Sequence, residues 1–437
     1  MSENIRQSVK SFDIFLLLFR QRYFLRALKI IVLLFLTPLL IFSGCKERQL
    51  TSPTPQMEIE SRFWIRVLLL NNVENCTLKI NSDFNIIDES NLETENHSFK
   101  KTSEHLNIQL IDGHIVVAGQ TFNNQIIISP DNPFIFNLYE NDYRGKLKLI
   151  INPDSKTFDA INIVPPEPYL AGVIAAEMPD YWEPEALKAQ AIAARTYCFY
   201  IKERFGNNRT WDVSKTASSQ VYNGLSAEST TVWNAVNQTA GMVLVCKQTT
   251  GEDIFPAYYS STCGGHTESS ENVFGDFFEP LAGVPCPYCK DVAKLKFFFW
   301  PAIQFTMEEI SNRLLEKYSN LNRLGEITDI AASNQSKYQE FTRLTKIQLT
   351  GSTGEKEFLS CENFRLTIDP TGNKIKSANF NIEKWDDSWA FVSGRGWGHG
   401  VGMCQCGAEG MARKGKNAQQ ILSHYYPGSK ISKIDYN

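Results

Sequence analysis

The first third of the chain after residue 60 alternates apolar and polar residues with the period of two that a β-strand requires. Ile65 and Val67 begin the alternation, and later runs rich in isoleucine, valine and leucine continue it to about residue 164. The dipeptide Asp112-Gly113 is typical of a tight turn between two such runs. We therefore predict an antiparallel, β-rich unit over residues 61–165, in which no catalytic motif is visible.

After residue 165 the apolar residues follow the spacing of α-helices. Pro168 suits the first turn of one helix, and a second helix starts near Pro184 and ends at Gly206. The second helix carries one apolar stripe: Leu187, Ala191, Ala194, Cys198 and Ile201. Helices and strands alternate through the rest of the chain. We therefore predict an α+β fold, with the β-rich unit packed on a mixed α/β domain over residues 166–437, where any catalytic site is expected.

The N-terminus has the pattern of a bacterial lipoprotein signal peptide over residues 1–44. Three basic residues between positions 22 and 29 precede the apolar run Ile30 to Phe42, and Ser43-Gly44 stands before Cys45. The Cys45 sulfur would carry the lipid, and the polar residues 45–60 would form a tether. The alternative is an uncleaved membrane anchor, although the run is short for a span. Both predict a protein outside the cytoplasm; the first predicts a lipid anchor in a bacterial membrane.

The charge balance argues against nucleic acid as a partner. The formal net charge is −4, and the first 44 residues hold six basic and two acidic side chains, so the remainder carries 38 basic and 46 acidic groups. Binding to nucleic acid requires a basic surface, which an acidic body of this kind does not favour.

Glu177 is the best candidate for a catalytic group. It ends a short, almost wholly apolar helix, just before Met178 and Pro179. Desolvation in such a setting raises the pKa of a carboxyl group and keeps it protonated, as a general acid requires. The alternative is an ordinary glutamate at a helix terminus, facing water. Arg195 on the next helix is a salt-bridge partner or a clamp for substrate hydroxyls or a carboxylate, and the alternative is a side chain on a solvated helix face.

A glycine-rich segment around Trp397 is a second candidate. Seven glycines stand between positions 394 and 410, and no Gly-Lys-Ser/Thr follows them, which excludes a phosphate-binding loop. Alternating glycines beside a tryptophan suit a groove in which a sugar ring rests on the indole. A tight packing turn without ligand is the alternative, and His399 within it is more typical of a structural histidine than of a catalyst.

A third candidate is a metal site built from two short motifs. Cys263-Gly264-Gly265-His266 and Cys286-Pro287-Tyr288-Cys289 are separated by 19 residues. This spacing matches a structural zinc site in which Cys263, His266, Cys286 and Cys289 are the ligands. Such a zinc ion has no open position and would not take part in catalysis. A disulfide between these segments is the alternative, because exported proteins meet oxidising conditions.

Taken together, these segments resemble the stage II sporulation protein D family (SpoIID/LytB domain proteins). Six segments carry the resemblance: residues 169–179, 186–197, 219–224, 259–268, 396–403 and 421–428. The motifs are long and specific, and the likeness extends over most of residues 61–437. In two places the chain departs from the family. Residues 212–219 lack the cysteine and histidine with which some members bind zinc, and Cys404-Gln405-Cys406 stands where relatives often have Ser-Gln-Tyr.

The resemblance implies a lytic transglycosylase that cleaves peptidoglycan glycan strands, with a preference for strands stripped of stem peptides. The catalytic glutamate of the family falls on Glu177, and no cofactor is needed for catalysis. One carboxyl suffices because the C6 hydroxyl of the substrate's muramic acid attacks its own anomeric carbon, giving a 1,6-anhydro end. Besides Arg195 and His399, we predict four sugar contacts: Gln220, Tyr222, Ser261 and Trp397. The alternative function is a non-catalytic wall-binding protein that stimulates a cell-wall amidase, and a zinc peptidase or amidase is disfavoured by the closed metal site.

Overall fold

The structure is a computed structural model that describes residues 63–434, apart from residues 90–94, 102–103, 124, 155, 249–250 and 340. These residues belong to one compact unit, Met57–Asn437. The predicted signal peptide, the tether and Cys45 lie outside the described residues. Within the described residues, no helix has both the length and the apolar composition needed to cross a membrane.

The N-terminal region is built of antiparallel strands, as the alternation predicts. In chain order the strands are β1 (Ile65–Val73), β2 (Asn75–Lys79), β3 (Phe84–Asp88), β4 (Glu95–Phe99), β5 (Leu106–Ile111), β6 (His114–Val117), β7 (Gln120–Phe122), β8 (Gln125–Pro130), β9 (Ile135–Leu138), β10 (Asn141–Arg144), β11 (Lys146–Ile151) and β12 (Phe158–Val164). One sheet has the order β1-β12-β11-β8-β3-β4 and the other β10-β9-β2-β5-β6-β7. Alternate residues of β1 and β8 are buried, and both sheets contribute to one hydrophobic core.

The C-terminal region is mixed, which confirms the α+β prediction. Its helices are α1 (Pro166–Glu177), α2 (Pro184–Phe205), α3 (Thr230–Gln238), α4 (Ser270–Phe274), α5 (Leu295–Phe298), α6 (Met307–Lys317), α7 (Cys361–Ile368), α8 (Gln405–Arg413) and α9 (Ala418–Tyr425). Short 3₁₀ turns span Gly206–Asn208, Gly224–Ala227, Glu279–Leu281, Cys289–Asp291 and Ser319–Leu324.

The strands of this region are mostly short. They are β13 (Val213–Ser214), β14 (Met242–Gln248), β15 (Gly251–Ile254), β16 (Tyr259–Ser260), β17 (Phe299–Trp300), β18 (Ile303–Thr306), β19 (Ile327–Lys337), β20 (Thr342–Gly351), β21 (Lys356–Ser360), β22 (Asn381–Trp385), β23 (Ser388–Val392), β24 (Gly394–Arg395), β25 (Met403–Cys404) and β26 (Lys430–Lys433). β13 adds to the first N-terminal sheet in parallel with β1, so the two regions share a sheet.

Helix α1 is an interior helix. Pro166 occupies its first turn, where a missing N–H costs nothing, and most residues from Pro166 to Ile174 are buried. The helix ends at Glu177 because Met178 precedes Pro179, and a residue before proline is driven from helical to extended backbone. Met178 is extended and buried. Glu177 is therefore the last residue of this largely buried, apolar helix.

Residues 300–391 contain a hydrophobic core of their own within the C-terminal region. It is formed by β17 to β23 with α6 and α7, around side chains such as Trp300, Ile347 and Phe391. This second core falls between Cys289 and the glycine-rich segment along the chain. Residues before position 300 and residues after position 391 are far apart in the sequence, so a contact between them depends on the tertiary structure and cannot be predicted from local spacing.

The pairing of β16 with β25 makes that connection. The two strands are parallel, with Tyr259 opposite Met403 and Ser260 opposite Cys404. The motif at residues 259–268 thereby lies beside the start of α8. The pairing thus brings the segments at Tyr259 and Gln405 together, and a hydrogen bond from Gln405 reaches Glu177 at the end of α1.

Candidate functional site

Glu177 is held by hydrogen bonds from two segments distant in the sequence. The backbone N–H of Val221 donates to its Oε1 at 2.7 Å, and the side-chain amide of Gln405 donates to its Oε2 at 3.3 Å. The residue as a whole is partly exposed, and these two hydrogen bonds fix the orientation of its carboxyl. This geometry is that of a positioned acid rather than of a glutamate free in solvent.

Burial of the carboxyl raises the pKa of Glu177 above its ordinary value of 4.5. The hydrogen bonds from Val221 and Gln405 act in the opposite direction, because they stabilise the carboxylate, but desolvation is the larger effect. The net direction favours the protonated acid.

Tyr259 is a tyrosine whose pKa is affected by the charge of Glu177. Burial, followed by the negative charge of Glu177, raises the pKa of Tyr259 well above 10, so it is a neutral phenol. Gln220 donates to Tyr259 Oη at 2.8 Å and accepts from Tyr169 Oη at 2.8 Å. Gln220 therefore fixes Tyr259 beside the candidate acid.

Gln220 and Tyr222 are interior residues, which corrects their predicted role as sugar contacts. Gln220 is 0% exposed and Tyr222 is 2% exposed. The Tyr222 hydroxyl donates to Asn162 Oδ1 at 2.8 Å, and a Cβ at Gly172 would lie 2.4 Å from the Tyr222 ring. Glycine is thus required at position 172 for the ring to pack on α1. The buried side chains of Gln220 and Tyr222 hold the backbone of residues 220–222 in place, and the Val221 N–H of this segment donates to Glu177.

Gln405 is a site residue that sequence reasoning leaves without a role. It is the first residue of α8 and is buried, and Cys404 before it is anchored by the β16–β25 pairing. The feature of the sequence that could have indicated a role for Gln405 is its position directly after Gly402-Met403-Cys404 in the glycine-rich motif. Only the fold shows that its amide reaches Glu177.

The glycine-rich segment is a packing turn that runs against residues 258–262. Gly396, Gly398, Gly400 and Gly402 all have positive φ, a conformation that side chains with a Cβ rarely adopt. A Cβ at Gly402 would lie 1.9 Å from the carbonyl oxygen of Tyr258. Close approach to protein backbone therefore explains the glycine at this position without any ligand.

Trp397 and Ser261 are partly exposed, and their predicted sugar contacts stay predictions. Phe297 packs on the Trp397 ring with centroids 4.5 Å apart, and Lys376 Nζ lies 5.2 Å from the ring centroid. The carbonyl oxygen of Ser261 accepts the Cys406 N–H at 3.0 Å, so its backbone ties β16 to α8.

His399 has the environment of a structural histidine. Its Nδ1 accepts the Val401 N–H at 3.0 Å, and its ring packs against Tyr258 and Phe274. Burial lowers the pKa of His399 to about 4. The ring is therefore neutral at physiological pH and cannot serve there as a cationic acid.

This environment gives a direct expectation for the titration of His399. The C2 proton of its ring should show no NMR titration between about pH 5 and about pH 8, whereas an unperturbed histidine titrates in that range. The signal is assigned by comparison with the spectrum of His399→Gln. A midpoint near 6.5 for His399 would contradict the buried, neutral ring.

The structure places Arg195 in a salt bridge rather than in a substrate site. Arg195 is 0% exposed, and its Nη2 donates to Glu167 Oε2 at 2.5 Å. Its Nη1 donates to the carbonyl oxygen of Met242 at 3.0 Å. A guanidinium enclosed in this way joins α1, α2 and β14, and no surface of it is left for a glycan. The predicted substrate clamp is corrected accordingly.

The cysteine group differs from the predicted one in a single member. The Sγ atoms of Cys263, Cys286, Cys289 and Cys404 all lie within 4.8 Å of one another, and all four residues are buried. His266 points elsewhere: its Nδ1 lies 2.7 Å from the Thr267 carbonyl oxygen, and its ring stacks on Tyr338. Cys404 thus replaces His266, which local spacing could not indicate.

The structure contains no disulfide bond among these four cysteines, which was the alternative to a metal site. Cys263 Sγ and Cys289 Sγ are 3.7 Å apart, and all four cysteines of the group are free thiols.

Comparison with known proteins gives two family matches. Residues 154–246 match the model of the SpoIID family, described as stage II sporulation protein, and residues 286–402 match DUF8618, a domain of unknown function. The second match includes the whole of the separate core at residues 300–391.

Three similar proteins carry the comparison further. An uncharacterized protein of Brachyspira hyodysenteriae is 36% identical over 302 residues, covering 69% of this chain and 75% of that protein. Stage II sporulation protein D of Bacillus subtilis is 31% identical over 293 residues, covering 63% of this chain and 77% of the relative. The amidase enhancer of Bacillus subtilis is 29% identical over 348 residues, covering 72% of this chain but only 48% of the relative.

Proposed function

Because this chain belongs to the stage II sporulation protein D family, we propose that it is a peptidoglycan lytic transglycosylase in which Glu177 is the single acid and base. The family membership supports a function at the cell wall. The observation that carries the finer proposal is the carboxyl of Glu177, oriented by Val221 and Gln405 and shifted by burial toward its protonated form.

The proton of this acid belongs on Oε2 of Glu177. Oε1 accepts the short hydrogen bond from the Val221 N–H, which stabilises it as the carbonyl-like oxygen. Among the described residues, the hydrogen bond given to Oε2 is the longer one, from the Gln405 amide at 3.3 Å. An amide rotated by half a turn would present its oxygen to that proton, so Gln405 can serve Glu177 in both protonation states.

In the proposed reaction the substrate supplies its own nucleophile. Glu177 gives its proton to the glycosidic oxygen between MurNAc and GlcNAc, and the bond from that oxygen to the MurNAc anomeric carbon breaks. The C6 hydroxyl oxygen of the same MurNAc bonds to the anomeric carbon, and its proton passes to the Glu177 carboxylate. The products are a 1,6-anhydroMurNAc end and a free GlcNAc hydroxyl, with no water consumed. Ordinary glycoside hydrolysis instead uses a pair of carboxyl groups.

The substrate and location follow from the same proposal. The substrate is a glycan strand of peptidoglycan, preferably without stem peptides, and the enzyme acts outside the cytoplasm, anchored by a lipid on Cys45. Catalysis needs no cofactor. The test is to incubate the purified protein with such strands and to look for anhydro-ended sugars by mass spectrometry.

The amidase enhancer among the relatives supports one other candidate function. Under it, the protein binds the wall and stimulates an N-acetylmuramoyl-L-alanine amidase without cleaving glycan itself. The chain then yields no anhydro sugars alone, and it raises the rate of an added amidase to the same extent with or without the Glu177 carboxyl.

The pH dependence of cleavage follows from the raised pKa of Glu177. The first step requires the protonated acid, so cleavage should fall as pH rises through the pKa of Glu177, and that fall should lie above the ordinary 4.5. Rates at limiting substrate between about pH 4 and about pH 8 measure it. Gln405→Ala removes a hydrogen bond that lowers this pKa, so its profile should shift to higher pH. A wild-type fall centred at or below 4.5 would contradict the desolvated acid.

A further inference from the structure

Four thiols from three distant segments meet in the interior of the C-terminal region. Cys263 follows β16, Cys286 and Cys289 flank a short turn, and Cys404 ends β25. The most exposed of them is 1% exposed, and their sulfur atoms lie within 4.8 Å of one another. Within the described residues this is the one group of metal-ligand side chains that converges in this way.

The geometry fits tetrahedral coordination by sulfur. Zinc–thiolate bonds of about 2.3 Å in a tetrahedron place the sulfur atoms about 3.8 Å apart. Cys263 Sγ and Cys289 Sγ are already 3.7 Å apart, and the other sulfur atoms, at most 4.8 Å from one another, have to move closer by up to about 1 Å to reach that spacing. Soft thiolate ligands in a tetrahedral set favour zinc over the hard cations.

The surroundings of the group supply donors suited to thiolates. The Cys263 N–H lies 3.3 Å from Cys404 Sγ, and Tyr425 Oη lies 3.1 Å from Cys286 Sγ. Such outer hydrogen bonds reduce the negative charge on metal-bound sulfur. A Cβ at Gly407 would lie 2.5 Å from Cys286 Sγ, so glycine there lets helix α8 approach the sulfur atoms.

We propose that Cys263, Cys286, Cys289 and Cys404 bind one structural zinc ion, and that this ion holds Gln405 against Glu177. With four protein ligands the ion has no open position for substrate, so its role is to fix the backbone. Cys404 and Gln405 are adjacent, hence the metal anchors the first turn of α8. The second half of this proposal rests on the proposed function of Glu177, whereas the metal site stands by itself.

Metal content tests the site independently of any activity. Protein produced with zinc in the medium should contain about one zinc per chain by plasma mass spectrometry, and Cys404→Ser should contain almost none. Two matched variants should keep the metal: Cys406→Ser, a buried cysteine two residues away, and His266→Gln, from the motif that the spacing favours. Loss of zinc in His266→Gln with retention in Cys404→Ser would overturn the ligand set, and wild-type protein without zinc would overturn the site.

A measurement on the wild-type chain covers the case in which Cys404→Ser does not fold. Replacement of the metal by cobalt(II) should give the intense visible absorption of tetrahedral thiolate coordination, together with sulfur-to-cobalt charge transfer. Weak octahedral bands would contradict four sulfur ligands.

The link to Glu177 has its own readout. Folded, zinc-depleted protein should lose glycan cleavage and regain it when zinc is restored, with substrate binding largely unchanged. If cleavage is absent in every form while zinc is bound by the four cysteines, the proposed function fails and the metal site stands. If metal-free protein cleaves at the wild-type rate, the anchoring role is wrong.

Discussion

Glu177→Gln is expected to abolish the formation of anhydro-ended sugars from denuded glycan strands. Glutamine keeps the shape of the side chain and can still accept the Val221 N–H, but it has no proton to give to the glycosidic oxygen. Loss of a general acid costs about 10²–10⁴-fold in rate. The measurement is the yield of anhydro products by mass spectrometry at equal protein concentration.

The matched control is Glu183→Gln, an exposed glutamate in the turn after α1. It makes the same chemical change six residues away and should leave the yield unchanged. Unfolding curves of both variants separate loss of chemistry from loss of fold. If Glu177→Gln forms as much anhydro product as the wild type does, the enzymatic proposal is refuted. If neither the wild type nor Glu177→Gln forms any product, the amidase-enhancing function is favoured.

Arg195→Met is expected to reduce the free energy of unfolding by about 3–5 kcal/mol. The change leaves Glu167 without the guanidinium to which it is paired and removes the bond to the Met242 carbonyl. Breaking one side of a buried ion pair is costly because the remaining charge stays largely desolvated. Urea unfolding followed by tryptophan fluorescence measures the effect.

Arg204→Met, on the same helix α2, is the comparison for Arg195. Arg204 is exposed and lies over the ring of Phe205, so its loss should cost less than about 1 kcal/mol. Similar values for the two variants would contradict the structural role of Arg195. A double variant, Arg195→Met with Glu167→Met, should recover part of the loss, because both charges are then removed together.

The positions of helices and strands follow closely from local pattern. The predicted start of α2 near Pro184 and its end at Gly206 agree with the structure, and the start is a local effect because a proline suits the first turn of a helix. The separate core of residues 300–391 is different. Its strands and helices are individually visible in the sequence, but no local signal marks which of them pack with one another rather than with the main core.

Side-chain roles divide in the same way. Arg195, Gln220 and Tyr222 stand in motifs that resemble the family and have polar groups suited to sugars, yet each is enclosed and bonded to protein. A polar residue in such a motif can serve either to bind substrate or to form a hydrogen bond in the protein interior, and the motif alone does not say which. Solvent exposure distinguishes them, and exposure depends on all the elements that surround a side chain.

By itself the sequence determined the α+β class, the apolar helix that ends at Glu177 before a proline, and the motifs of the stage II sporulation protein D family. These depend on periodicity, backbone restriction and residue type, which are all local properties. The tertiary structure alone decided that Gln405 and Val221 bind Glu177, that Glu167 neutralises Arg195, and that Cys404 joins three cysteines in place of His266. Cys404 is 115 residues beyond Cys289. Contacts across such a distance are fixed by the packing of whole elements, here the pairing of β16 with β25, and not by spacing along the chain.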